Sequence, residues 1–492
     1  MGLGVRQGTE SDHRPKSIKF RTCDYTRVVT TLSSICTGLF ARAQAQLLND
    51  LCFLSRRGVS GCHPTWSFSR LLELSSVWLN WRVSFHHEVM GVKEIVVVGA
   101  SLAGLRTCQN LRRANFEGNL TLVGAEKHLP YDRPPLSKTM LSSEQDPGEL
   151  TLVSDSELAE LNLNLILGSP ATRLDTAARA VTVGDEKIFY DGLIIATGAR
   201  ARKLLKTDDM DGIHTLRTIE DSLAIRSALR SSSSVVIVGA GFIGSEVAAA
   251  ARHHGCEVSI IEAGEAPLMR GLGYEVGSAC GQLHESHGVN LRVGVQVQDC
   301  YGSQTVEEVQ LSDGSRIAAD LVVVGVGATP NTEWLNDSGL TIDDGVVCDA
   351  SLNAGIPGIY AAGDVARVPN QWMGGGPLRT EHWTTATEHA ALAAKNLLQP
   401  ADSTPYDSVP FVWSDQYEDR IQIAGDTGDF DEVSFLMGSG GEEAFVVGYR
   451  KGEHLAGVMA LNSMRPFVQY RRLLMARGQW NQALDLAQEM NG

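Results

Sequence analysis

The sequence predicts an α/β fold class, two doubly wound parallel-sheet domains followed by a smaller α+β domain, and three observations predict it. An apolar strand, a glycine turn, a helix and a second strand occur in that order twice, with the turns at Gly99 and Gly239. Two further apolar runs, "LVVVGVGATPN" (321–331) and "GIYAAGDVA" (358–366), each end in a glycine turn, as strands covered on both faces do. From about Pro405 the pattern changes to short strands and polar turns, and the chain closes on the helical stretch "MRPFVQYRRLLMARGQWNQALDLAQEM".

Taken in order, "KEIVVVGASLAGLRTCQNLRRANFEGNLTLVGAE" predicts a strand over 94–99, a helix over 103–114 and a strand over 119–124. "SSVVIVGAGFIGSEVAAAARHHGCEVSIIEAGE" repeats the theme with a strand at 234–239, a helix at 243–254 closed by Gly255, and a strand at 256–262. Parallel βαβ units need helices on both faces of their sheets, so the duplication implies two domains of one kind. The boundaries this suggests are 91–203 with 328–402 for a discontinuous first domain, 204–327 for the second and 403–492 for the third.

The chemistry lies in the turns. Where a strand turns into a helix, unpaired amides and the positive end of the helix dipole converge, and a diphosphate can bind. Glycines tighten the turn, let the ligand approach the backbone, and let helix pack on strand. The second unit has all three, Gly239, Gly241 and Gly244, and its next strand ends at Glu262, placed to accept from an adenosine ribose. Ala263, Gly264 and Glu265 follow, with no basic residue before Arg270, so a 2′-phosphate would meet a carboxylate and NADH is favoured over NADPH. The first unit has Gly99 and Gly104 but Ser101 in the middle position, and its second strand leads to Glu126. One such fingerprint is weak, whereas two with matching acidic residues point to two bound dinucleotides.

A resemblance rests on eight stretches in this order: "GASLAGLR", "LVGAEKHLPYDRPPLSK", "DGLIIATGAR", "VVIVGAGFIGSEVAA", "VGVGATPNTEWL", "IYAAGDVA", "RTEHWTTATEHA" and "FVWSDQY". They resemble the FAD-dependent ferredoxin reductases that serve Rieske-type oxygenases and haem-thiolate monooxygenases, whose fold is that of glutathione reductase. The resemblance spans Gly91 to about Trp480 and implies FAD at the first turn and NADH at the second. It implies FAD contacts from Gly99, Ser101, Ala103, Gly104, Glu126, Arg133, Lys138, Ala171, Arg200, Asp364 and Trp383. For NAD it implies Gly239, Gly241, Ile243, Gly244, Glu262, Arg270 and Gly327. Lys138, Glu381 and Trp383 would flank the reacting rings, and a cation such as Lys138 stabilises negative charge on a reduced flavin. The implied partner is a [2Fe–2S] ferredoxin or a rubredoxin-like carrier. An NADH oxidase or diaphorase, and a non-enzymatic flavoprotein resembling the apoptosis-inducing factors, remain alternatives at this point.

Composition narrows the field. The apolar fraction of 43% and charged fraction of 20% are those of a soluble globular chain, and a net charge of −16 disfavours general binding to nucleic acid or membrane surfaces. Nine cysteines occur with no two close enough for a metal clip or redox pair, which suits a reducing cytoplasm and excludes the paired thiols of disulfide reductases. His382 and His389 are seven apart and lack a ligand partner. Residues 1–90 carry net charge +5 and no clear strand or helix period, so an extension is expected there, with Met90 as a natural start or an organelle-targeting peptide as the rival. Arg450, Lys451, Arg471, Arg472 and Arg477 cluster in sequence as candidates for docking an acidic protein carrier.

Overall fold

The structure, a computed structural model, describes residues 92–204 and 210–491; the N-terminal segment discussed above, 1–90, lies outside the described residues. Strand β1 (Glu94–Val98), helix α1 (Leu102–Arg113) and strand β2 (Asn119–Val123) form the first βαβ unit, within a residue of the predicted bounds. Strands β3 (Asn164–Ile166) and β4 (Gly192–Ile195) extend its sheet. The chain then builds a second sheet from β5 (Ile213–Thr215), β6 (Ser234–Val238), β7 (Glu257–Glu262), β8 (Asn290–Val293) and β9 (Leu321–Val324). Helices α2 (Phe242–His253) and α3 (Met269–Ser286) belong to this half. Finally β10 (Ile359–Ala361) returns to pair with β4, and α4 (Trp383–Leu398) packs on α1.

The two sheets have the same plan. Their strand orders are β10-β4-β1-β2-β3 and β5-β9-β6-β7-β8, all parallel, with β1 and β6 central. Each also carries a three-stranded antiparallel meander, inserted over 171–189 before β4 and over 297–318 before β9. Only the outer strand differs in origin: β10 comes late in the chain, β5 early. In each sheet the winding reverses beside the central strand, and the glycine turn after that strand opens at the switch point, where α/β sheets bind ligands. The central strands read as unbroken apolar runs because both faces are covered: Ile95 to Val98 and Val235 to Val238 are all buried.

The segment carrying "PYDRPPLSK" leaves the first sheet and buries Tyr131, Leu136, Met140, Leu141 and Leu150 in the core of the second half, among Ile219, Ile237 and Val247. It straps the two halves together and brings Arg133 and Lys138 to the space between them. The third domain is an antiparallel sheet of β11 (Phe411–Gln416), β12 (Asp419–Gly425), β13 (Glu432–Met437), β14 (Phe445–Lys451) and β15 (His454–Leu461), ordered β11-β12-β15-β14-β13. Helices α5 (Met464–Met475) and α6 (Trp480–Asn491) cover one face through Phe467, Tyr470, Leu474 and Trp480. The other face sets Ile421, Phe445, Tyr449 and Met459 against Leu272, Val276 and Cys280 of α3. The third domain is thereby fixed to the second half, with the end of β11 at the central space.

Candidate functional site

The two turns share a division of labour. Gly99 has φ +121° and a Cβ there would lie 2.0 Å from the Ala196 carbonyl oxygen; Gly239 has φ +100° and a Cβ would lie 2.5 Å from the Gly325 oxygen. A Cβ at Gly104 or Gly244 would come within 1.9 Å or 2.1 Å of the carbonyl oxygen of Gly99 or Gly239. These four glycines serve the backbone crossing of strand, turn and helix. The middle position is different: a Cβ at Gly241 would meet nothing within 4 Å. Ser101 stands in that same place at the head of α1, makes no cap bond to its own helix, and has Arg133 Nε 3.3 Å from its hydroxyl. Its side chain therefore leaves the first-turn amides free for an anion.

Both turns open on one cleft of about 1710 Å³ between the halves. All the site residues named from the sequence line it except Gly104 and Gly244, which lie beneath their turns. At the first turn, Glu126 accepts from Arg133 (2.6 Å) and from the Tyr131 hydroxyl (2.5 Å). Burial opposes the Arg133 charge, but Tyr131, Glu126 and Asp364 together hold its pKa above the usual value. Asp364 in turn pairs with Arg217 at 2.6 Å. Ala103 and Ala171 add small walls, whereas Arg200 reaches outward to Glu333 (2.6 Å) and Asn331. At the second turn, Glu262 accepts from the backbone amides of Ala240 and Gly264, both at 2.7 Å, which fixes its carboxylate beside the turn. Ile243 is exposed toward the cleft, Gly327 (φ +104°) leaves open space above it, and Arg270 sits exposed without an ion pair among the described residues.

Between the turns lies a network that sequence reasoning did not find. Lys138 Nζ sits 2.7 Å from Glu246, a residue of α2 that is 3% exposed. Glu246 also accepts from Ser137 (2.5 Å) and from Ser414 of β11 (2.6 Å), so all three domains meet at one carboxylate. Glu246 reads in sequence as an ordinary helix charge; the available signal was its place two residues after the third glycine, on the helix that opens at the turn. Trp383 donates to Asp132 (2.8 Å), and its ring meets Trp413 at 6.2 Å, which stacks on Phe411 at 6.0 Å. Glu381 pairs with Arg379.

The described cysteines, Cys108, Cys256, Cys280, Cys300 and Cys348, are all buried and none lines the cleft. Burial pushes the thiols of Cys108, Cys280 and Cys348 up to about 12, so they are protonated and inert at neutral pH. Among the described residues no group of acidic, His or Cys side chains could hold a metal. The five basic residues of the third domain do not form one free patch. Arg450 pairs with Glu432 (2.9 Å) and Lys451 with Asp429 (2.6 Å), because β13 and the turn before it supply acids opposite them. Arg471 lies over the Phe411 ring at 4.7 Å, and Arg477, over Trp372 at 4.1 Å, also pairs with Asp407 at 3.5 Å.

Comparison with known proteins agrees with this geometry. Residues 93–390 match the pyridine nucleotide-disulphide oxidoreductase family model, and 411–491 match a reductase C-terminal domain. Rhodocoxin reductase of Rhodococcus erythropolis is 37% identical over 383 residues, 77% of this chain and 89% of that protein. The ferredoxin–NAD(+) reductase component of the p-cumate 2,3-dioxygenase system of Pseudomonas putida is 38% identical over 337 residues, 68% of this chain and 82% of its own. The reductase in the covalent putidaredoxin reductase–putidaredoxin complex superposes with a TM-score of 0.75 at 32% identity, covering 79% of this chain and 94% of that one. The chain belongs to the pyridine nucleotide-disulphide oxidoreductase family, in the branch of the ferredoxin–NAD(+) reductases.

Proposed function

We propose that this protein is a cytoplasmic NADH-dependent ferredoxin reductase that holds FAD at the first turn, takes NADH at the second and passes electrons singly to a [2Fe–2S] ferredoxin. The observation that carries the reading is the single cleft joining two glycine turns, with Lys138 paired to the buried Glu246 in its wall and no described cysteine there. Among the described residues no helix is long and apolar enough to cross a membrane.

The residues present fit both groups. The free amides at the head of α1, with Ser101 and Arg133, suit a diphosphate, and Glu126 suits a ribose. Asp364, held by Arg217, would accept from the ribityl hydroxyls, and Lys138, 2.7 Å from Glu246, would face the flavin. At the second turn the open space over Gly241 admits a second diphosphate, and Glu262 presents a carboxylate to the ribose with only Ala263, Gly264 and Glu265 after it. Once bound, FAD supplies the conversion of a two-electron donor into one-electron steps. Glu381 and Trp383 would then orient the nicotinamide, a matter of proximity rather than of acid or base. The aromatic line Trp383–Trp413–Phe411, capped by Arg471, marks where a carrier would dock, with Arg472 on the same helix.

The test mixes the FAD-loaded protein, NADH and a panel of [2Fe–2S] ferredoxins, once anaerobically to follow the iron–sulfur absorbance and once in air to follow oxygen consumption and flavin reoxidation. Rapid NADH-dependent reduction of at least one ferredoxin is expected. Rapid oxygen consumption with every ferredoxin left oxidised would instead establish an oxidase, and a reduced flavin that persists for many minutes in air would establish a signalling flavoprotein.

A further inference from the structure

Among the described residues, nine buried side-chain polar atoms have no hydrogen-bond partner, and four of them lie on one helix: His382 Nδ1, Thr385 Oγ1 and both ring nitrogens of His389. Residues 382, 385 and 389 are spaced i, i+3 and i+7, so they form one stripe along α4 and the cap before it. Thr385 and His389 are 1% and 2% exposed. An unpartnered buried polar atom costs about 1–3 kcal/mol, so four in line would be a heavy burden on a dry interior. Polar cavities of this kind are where proteins keep ordered water.

Both ends of the stripe reach somewhere useful. His382 lines the cleft, and the Asp364 carboxylate acts on both imidazoles, which places the inner end beside the proposed flavin site. At the outer end the Tyr406 ring stands edge-on to His389 at 4.5 Å, and its hydroxyl donates to Glu388 at 2.9 Å. The Tyr406 hydroxyl is also close enough to Thr385 and Ser408 to feel them, although Thr385 makes no bond of normal geometry. Glu388 faces Arg471, whose Nε is likewise unpartnered.

The proposed reaction needs such a route. A hydride carries two electrons and one proton out of NADH; when the electrons go to two oxidised ferredoxins, the balance is NADH plus two oxidised carriers giving NAD⁺, two reduced carriers and one H⁺. With the nicotinamide and a carrier both bound, that proton would have to leave the cleft through the protein. We propose that His382, Thr385 and His389 hold a file of water that carries this proton from the cleft, past Tyr406, to Glu388 and the surface. The two imidazoles, kept neutral at pH 7 by burial, can each accept a proton on one nitrogen and release one from the other.

This rests on the ferredoxin-reductase reading, and the experiment keeps the two apart. First, a high-resolution crystal structure of the FAD-loaded full chain, with no ferredoxin present, should show ordered water bonded to Thr385 Oγ1 and to the His389 ring. A dry stripe overturns the proposal whatever the enzyme does. Second, single turnovers with NADH and ferredoxin are followed by iron–sulfur absorbance and by a pH-indicator dye. In Thr385→Val and His389→Leu, electron arrival should stay within about twofold of wild type while proton release slows about tenfold or more. His389→Gln keeps the polarity of the site without a basic nitrogen, and should show the same lag if the leucine variant fails to fold. Proton release at the wild-type rate in these variants overturns the proposal, whereas a wild type that reduces no ferredoxin overturns the function on which it rests.

Discussion

The two glycine turns are one structural device used under two sets of demands. Around Gly239 every key position is glycine; around Gly99 the middle one is Ser101. The outer positions cannot vary, because in both turns a Cβ would run into carbonyl oxygens at 1.9–2.5 Å. The middle position is unconstrained by the fold, since a Cβ at Gly241 meets nothing within 4 Å. Its identity therefore reports on the ligand. On the proposed assignment, the serine beside Arg133 would face the flavin cofactor's diphosphate and the open glycine that of NADH. The acidic residues differ in the same sense. Glu126 is engaged by two side chains, Tyr131 and Arg133, whereas Glu262 is fixed by two backbone amides.

The largest effect should come where the turns are equivalent. Gly104→Val and Gly244→Val each force helix and strand apart, and each should cost about 3 kcal/mol or more in denaturant unfolding. A large loss in one and none in the other would break the equivalence. Next comes the position where the turns differ. Ser101→Trp should empty the flavin site and Ser101→Gly should leave it full, as read from the flavin-to-protein absorbance ratio. Gly241→Trp should keep the flavin but raise KM for NADH about 100-fold, with stability changed by no more than about 0.5 kcal/mol. Full flavin in Ser101→Trp would show that the first turn holds something else.

A smaller effect is expected at the ribose contact. Glu262→Gln turns one acceptor into a donor facing a backbone amide, which should cost about 1–3 kcal/mol and lower kcat/KM for NADH roughly tenfold to hundredfold. Flavin content should not change. The pH response tests buried groups under both halves: His382 and His389 beside Asp364, and His284 bonded to Ser245 of α2 at 3.1 Å. Burial lowers all three to about 4. A base whose folded pKa lies below its unfolded value of 6.5 binds fewer protons when folded between those values. Its contribution is present above pH 6.5 and is lost as pH falls toward 4. Tm should climb from pH 4 to 6.5, and His389→Leu should flatten that rise. The smallest effects belong to Arg450→Ala and Lys451→Ala, which should leave the rate of ferredoxin reduction unchanged. Arg471→Glu with Arg472→Glu should slow it and weaken its dependence on salt.

Features local to the chain were legible in the sequence. Both βαβ units, their turns and the closing acids can be read because strand period, glycine spacing and helix caps all lie within some thirty residues. Lys138 and Trp383 were visible only through their motifs, and their partners were not visible at all. Glu246, Ser414, Asp132 and Trp413 come from elements far apart in the chain, so no periodicity announces that they meet. The basic cluster shows the converse. Arg450 and Lys451 look free beside one another in sequence because the acids that neutralise them sit across a strand pair. His382 and His389 read in sequence only as lacking a metal-ligand partner; that His382 Nδ1 and both His389 ring nitrogens are buried without a hydrogen bond depends on packing and is not visible there.

The central claim is that electrons enter at the Gly241 turn, pass the cleft and leave singly without any thiol. Anaerobic titration of the FAD-loaded protein with NADH, counting free thiols before and after and then adding oxidised ferredoxin, tests it most directly. One NADH should be consumed per flavin, with no new thiols and two ferredoxins reduced for each NADH. Two NADH per flavin with two new thiols appearing would contradict it.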